Sequence, residues 1–237
     1  MADRAGFPGR ELLRAYPERL RTRAAATDWQ VTLALVGLTA VAYLGQTLAA
    51  IRVGAPVRDV TAFLFLARPA LAWPLSPFLH AGPLHFVANV AVLVPTGIEA
   101  ERHLSRRQYV GLFLVSSAGA SLVAAATTMP FAEGPVAAYG ISGFVFALAT
   151  YLLVHLALAH EAPILPPDGP APDRHPLEIV AVLLGVSVLV LVAADVGGAL
   201  LNGFRGVNGG HLGGAFVGIV VGGLHRTSCH GAFGGAP

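Results

Sequence analysis

Six runs of mostly apolar residues divide this chain, at 29–51, 84–100, 108–129, 140–160, 177–201 and 209–225. A helix that crosses a bilayer needs about 20 such residues, so each run predicts a membrane-spanning helix. The 84–100 run is the most polar, because it carries His85, Asn89 and Glu99; residues 86–96 are otherwise apolar. The connections differ in character. Spans two and three are joined by a short charged turn, and spans four and five by a Pro-rich linker, 161–176, predicted to be extended. The first loop, 52–83, is long and holds the apolar run 61–66 followed by Pro69, Trp73, Pro74 and Pro77. That run is too short to span, so it predicts a hairpin lying in the membrane interface with Trp73 as an anchor.

Composition agrees with lipid as the solvent. Hydrophobic residues make up 55% of the 237 and charged residues 12%, against about 25% charged in soluble domains, and the mean hydropathy is +0.67. This excludes a soluble one-domain enzyme, a nucleic-acid binder and a disordered chain. The single cysteine, Cys229, excludes an internal disulfide and a cysteine-based zinc site. The fold class predicted is an all-α polytopic membrane protein.

All fifteen basic residues are Arg. Eleven fall before span one, between spans two and three or four and five, or after span six, whereas Arg52, Arg58, Arg68 and Arg205 fall on the other side. The positive-inside rule then predicts both termini in the cytoplasm. Residues 1–28 are polar and Arg-rich, without the apolar core of a signal peptide. The expected organisation is a cytoplasmic N-terminal segment (1–28), a six-helix membrane domain (29–225) and a cytoplasmic C-terminal tail (226–237).

In such a bundle the informative residues are the polar ones at membrane depth. Of nine His, only His80, His85 and His211 fall toward the outer half. Ser142 opens span four between Gly140 and Gly143; alone, it reads equally as a serine bonded to its own helix, with glycines allowing close helix contact. His211 opens span six, and Gly214 and Gly218 stand three and seven residues later on the same helix face. Such a face admits a neighbouring backbone. If that neighbour is span four, His211 reaches Ser142 and provides the base that a serine nucleophile needs. His85 and Asn89 share one face of span two and provide either oxyanion donors or interhelical hydrogen bonds. Phe146, one turn after Ser142, faces the same cavity and is placed to pack on His211.

Few carboxylates are available as a third partner. Asp195, near the outer end of span five, reads first as an interface cap or a partner for Arg205 and second as a carboxylate that orients His211, and Glu133 reads as solvated. Glu99 and Glu101 are expected to pair with Arg102, Arg106 or Arg107, and the His225, Cys229 and His230 cluster to belong to a flexible tail rather than a metal site.

Together these residues resemble the rhomboid family of intramembrane serine proteases. The resemblance lies in His80, His85 and Asn89, in Gly140-x-Ser142-Gly143, in His211-x-x-Gly214-x-x-x-Gly218, and in Gly97 and Glu99 at the far end of span two; it covers about 29–225. It implies a six-helix rhomboid-like bundle with a long first loop and a Ser142–His211 dyad. It also implies an oxyanion site of the Ser142 N–H, Asn89 and His85, an aromatic at Phe146 packed on the histidine, and a structural role for His80. Transmembrane protein substrates would be the partners, within the lipid bilayer of a cell membrane, with the active site toward the outer face. No cofactor, metal or nucleic acid is implied. Two departures stand out: Leu71-Ala72 where many members carry Trp-Arg, and Ile141 where a smaller residue is commoner. The alternatives are a silent relative that binds clients without cleaving them and a small transporter or proton-conducting bundle.

Overall fold

In the computed structural model, residues 29–131, 138–159, 176–201 and 208–231 are described. Residues 1–28, Glu133, the 161–175 linker, Arg205 and the side chains of Cys229 and His230 lie outside the described residues. Among the described residues there are eight α-helices and two 3-10 turns, and no strand. The helices are α1 (Gln30–Val53), α2 (Val57–Ala67), α3 (Pro69–Leu75), α4 (Pro83–Glu101), α5 (Arg106–Thr128), α6 (Ser142–Ala159), α7 (Pro176–Leu201) and α8 (Gly209–Gly231). Six of them fall on the six apolar runs. Helices α1, α4, α5 and α7 are long and apolar enough to cross a membrane by length and composition.

Helix α6 sits at the centre. Its sequence is apolar on every face, and a helix of that kind has no wet side to present. Phe144, Leu148, Tyr151 and Leu152 are all buried, and Phe144 meets Tyr109 and Phe113 edge-on at 5.4 and 5.2 Å between ring centroids. Helices α4, α5, α7 and α8 surround it, α8 most closely. The outward positions are apolar too: Leu38, Leu44, Leu122, Val190 and Phe216 are all exposed. In water such a surface would be an aggregation hazard; in lipid it is the matching face.

Glycines set the spacing. A Cβ on Gly214 would strike the Gly143 carbonyl, and one on Gly218 the Ala147 carbonyl. Here α6 and α8 touch backbone to backbone, and Thr150 Oγ1 donates across the seam to the Ala215 carbonyl at 3.0 Å. A second face of α8 approaches α5, where a Cβ on Gly213 would lie 2.7 Å from the Gly119 carbonyl.

The first loop is helical rather than a bare hairpin. Helices α2 and α3 and the turn Ser76–Phe78 enclose a small core of Phe65, Ala72 and Leu79, against which Trp73 and Tyr139 pack. Trp73 therefore stands half-buried and edge-on to Phe65, 5.5 Å away, inside the loop's own packing. Gln46 of α1 ties this unit down. Its Nε2 donates to Thr61 Oγ1 at 2.5 Å and to the His80 carbonyl at 3.2 Å, while its Oε1 accepts from the His80 N–H at 3.0 Å.

At the opposite end of the bundle Glu99 is fully buried, with Arg102 and His103 each 2.9 Å away, so its expected pairing with Arg102 is present. Glu101 departs from the expectation of an arginine partner: its carboxylate accepts from the Thr32 N–H at 2.6 Å and the Val31 N–H at 3.3 Å. The first amides of a helix lack acceptors of their own, and those of α1 find one in Glu101. Near this end His103, His155 and His225 stand 4.9 and 5.2 Å apart between ring centroids.

Candidate functional site

A cavity of about 1010 Å³ opens among α4, α5, α6, α7 and α8 and is lined by His85, Asn89, Gly140, Ser142, Phe146 and His211, among others. Ser142 is the first residue of α6. Its backbone amide belongs to a first turn, where amides have no intrahelical acceptor. The chain reaches it through Gly140, whose φ of +116° is a conformation that side chains other than hydrogen rarely adopt. Gly140 also leaves room: a Cβ there would sit 2.7 Å from His85 Cε1 and 3.6 Å from Ser142 Oγ. The imidazole edge of His85 and the Ser142 hydroxyl thus border one small space. The Gly140 N–H donates to the Ser76 carbonyl at 2.8 Å, which joins the approach to Ser142 to the first loop.

His85 accepts a hydrogen bond at Nδ1 from the Ala81 N–H, at 3.3 Å. A ring nitrogen that accepts carries no proton, so the neutral ring holds its hydrogen on Nε2, on the edge that borders Gly140. Asn89, buried one turn later, donates through Nδ2 to the His85 carbonyl at 3.0 Å. That bond uses one of the two amide hydrogens. His80 is fully buried beneath them, 5.0 Å from His85 between centroids, with its Nδ1 at 3.2 Å from the Phe78 carbonyl.

His211 is held on three sides. Phe146 stacks on its face, with centroids 4.0 Å apart and planes 16° from parallel. Asn208 caps α8: its Oδ1 accepts from the His211 N–H at 3.3 Å, while its Nδ2 lies 3.1 Å from His211 Nε2. The carboxylate of Asp195, from α7, stands 3.9 Å from His211 Nδ1.

The structure therefore brings Ser142, His211, His85, Asn89, Phe146 and Gly140 to one cavity, with Gly143, Gly214 and Gly218 in the α6–α8 seam and His80 beneath the loop. Among the described residues no hydrogen bond joins Ser142 to His211; His211 Nε2 meets Asn208 instead. Of the sequence alternatives for Asp195, the structure favours the less expected one: its carboxylate faces His211. Gln46 and Asn208 escaped sequence reasoning. The signal for Asn208 was an N-cap residue type three positions before a candidate histidine; Gln46 is a lone amide within an apolar span. Among the described residues no cluster of His, Cys, Asp and Glu is arranged to hold a metal ion.

No curated protein matches the chain. The family model of the Rhomboid domain matches residues 70–227, which take in α4 to α7, most of α8 and every residue of the cavity named above. This chain is an integral membrane protein of the rhomboid family.

Proposed function

We propose that the chain is an intramembrane serine endopeptidase that cuts membrane-anchored proteins in or near a transmembrane segment. The observation that carries this reading is the convergence of Ser142 and His211 on one cavity across a backbone-to-backbone seam, with the donor edge of His85 beside the serine.

Ser142 Oγ bonds to the substrate carbonyl carbon as its proton passes to His211 Nε2 and the carbonyl electron pair moves onto oxygen. The resulting oxyanion is stabilised by the Ser142 N–H, the Nε2–H of His85 and the remaining Asn89 amide hydrogen. The imidazolium returns the proton to the leaving nitrogen as the C–N bond breaks, and water then hydrolyses the acyl-serine by the same route. For the first step the Asn208 side chain must rotate off Nε2. The arginine distribution supports an orientation with both termini cytoplasmic and the cavity toward the outer face, and the Lys-free, Ala-, Arg- and Gly-rich composition supports a prokaryotic cell membrane.

Labelling of the purified protein with a fluorophosphonate tests the reading. Wild type is expected to label, and Ser142→Ala and His211→Ala to lose the label; a folded wild type that stays unlabelled overturns it. The engagement of His211 Nε2 by Asn208 favours a second reading, a client-binding relative without proteolysis. That relative would retain client binding in Ser142→Ala and show no labelling at all.

A further inference from the structure

The two edges of the His211 ring are not equivalent. Asn208 presents its Oδ1 to the His211 N–H, which can only donate, so the amide nitrogen is the atom that faces the ring. An amide nitrogen also can only donate, so Nε2, 3.1 Å away, is the acceptor and carries no proton. The neutral ring then holds its hydrogen on Nδ1, the edge that faces Asp195 at 3.9 Å. This distance exceeds a hydrogen bond but lies within reach of one after a small side-chain rotation or through one water. Phe146 closes the ring face, so the ring retains one orientation in which Nδ1 points at the carboxylate. A base that takes the Ser142 proton must present a bare Nε2, and it must then carry positive charge.

Building on the protease reading above, we propose that Asp195 is a positioning residue for His211: it holds the Nδ1–H tautomer and balances the imidazolium formed when Ser142 is acylated. Asp195 touches no substrate atom; it acts through the ring. It sits in the last two turns of α7, sixteen residues before His211 in the chain, and its side chain is partly exposed.

The test compares wild type, Asp195→Asn, Asp195→Glu and Ser142→Ala in detergent, with fluorophosphonate labelling followed over time at several probe concentrations and thermal midpoints measured in parallel. Asp195→Asn preserves shape and removes charge. It is expected to lower the limiting labelling rate about 10- to 100-fold with the half-saturating probe concentration unchanged, and Asp195→Glu to recover most of the rate. Asp195→Asn labelling at the wild-type rate overturns the proposal. So does a slow Asp195→Asn that Asp195→Glu fails to rescue, or whose thermal midpoint falls in step with its rate, because a structural role alone explains either. Absence of Ser142-dependent labelling in the wild type is the separate result that removes the protease reading, and the proposal with it.

Discussion

The rings of Phe146 and His211 lie 4.0 Å apart and nearly parallel, joining α6 to α8 at the depth of the cavity. Phe146 is almost fully buried, so its face is the floor on which the imidazole rests. Removing it leaves His211 with its edge contacts to Asn208 and Asp195 and nothing beneath the ring. Phe146→Ala is expected to slow fluorophosphonate labelling at Ser142 about 10-fold through lost ring orientation, and to cost about 3 kcal/mol of stability from the cavity it opens. Phe146→Tyr keeps the stack and is expected to label near the wild-type rate. The labelling rates and thermal midpoints of the two variants check this.

The α6–α8 seam gives a second prediction. Beside Gly214 the obstruction is the Gly143 carbonyl, which is backbone and cannot swing aside. Gly214→Ala must therefore push the two helices apart, separating the segments that carry Ser142 and His211. The expected result is loss of labelling and destabilisation of about 2–4 kcal/mol, in the range of overpacked cores. Gly223, on the same helix, has nothing within 4 Å of its would-be Cβ. Gly223→Ala is expected to leave labelling unchanged and to raise the melting temperature slightly, since alanine restricts the unfolded chain.

The contrast between those glycines shows what sequence could and could not convey. Apolar runs of the right length marked the six long helices because lipid demands long uninterrupted apolar segments. The His211, Gly214 and Gly218 face was legible because helical periodicity is local. Other partners across space were less legible. Glu101 reads as one more carboxylate beside arginines, but in the fold the bare amides of α1 lie nearer. Asp195 and His211 stand on different helices, and no periodicity relates their positions. Helices α2 and α3 are too short, at 11 and 7 residues, to show a pattern of their own. They form because Phe65, Ala72 and Leu79 close on one another.

Gln46 carries a third prediction. It supplies three hydrogen bonds to the first loop, two of them to the backbone of His80. Gln46→Leu keeps the volume but leaves the His80 N–H and carbonyl without their partner in a buried place. Unmade bonds of this kind cost about 1–3 kcal/mol each, so a loss of about 2–4 kcal/mol is expected. The freed loop should also become the first site of proteolytic nicking, between residues 54 and 82. Mapping the earliest fragments in wild type and variant decides it. Equal fragment patterns would mean that the Phe65, Ala72 and Leu79 core holds the loop without help.

His80, in the connection between the loop and α4, makes the fold sensitive to acid. Burial, chiefly, and repulsion from His85 when that ring is charged hold His80 down to about 4, against the opposing pull of the Phe78 carbonyl. In the unfolded chain the same ring titrates near 6.5. Between those values the unfolded state binds more protons than the folded one, so stability falls as pH drops from about 6.5 toward 4. Above 6.5 the contribution is constant, and below 4 this group takes away nothing more. At about 1.4 kcal/mol per unit, the full loss amounts to about 3 kcal/mol. Thermal midpoints at pH 7.5, 6 and 4.5 are expected to decline for wild type. His80→Gln, which cannot charge, is expected to start lower and decline less over the same range. Parallel declines in the two proteins would place the acid sensitivity elsewhere.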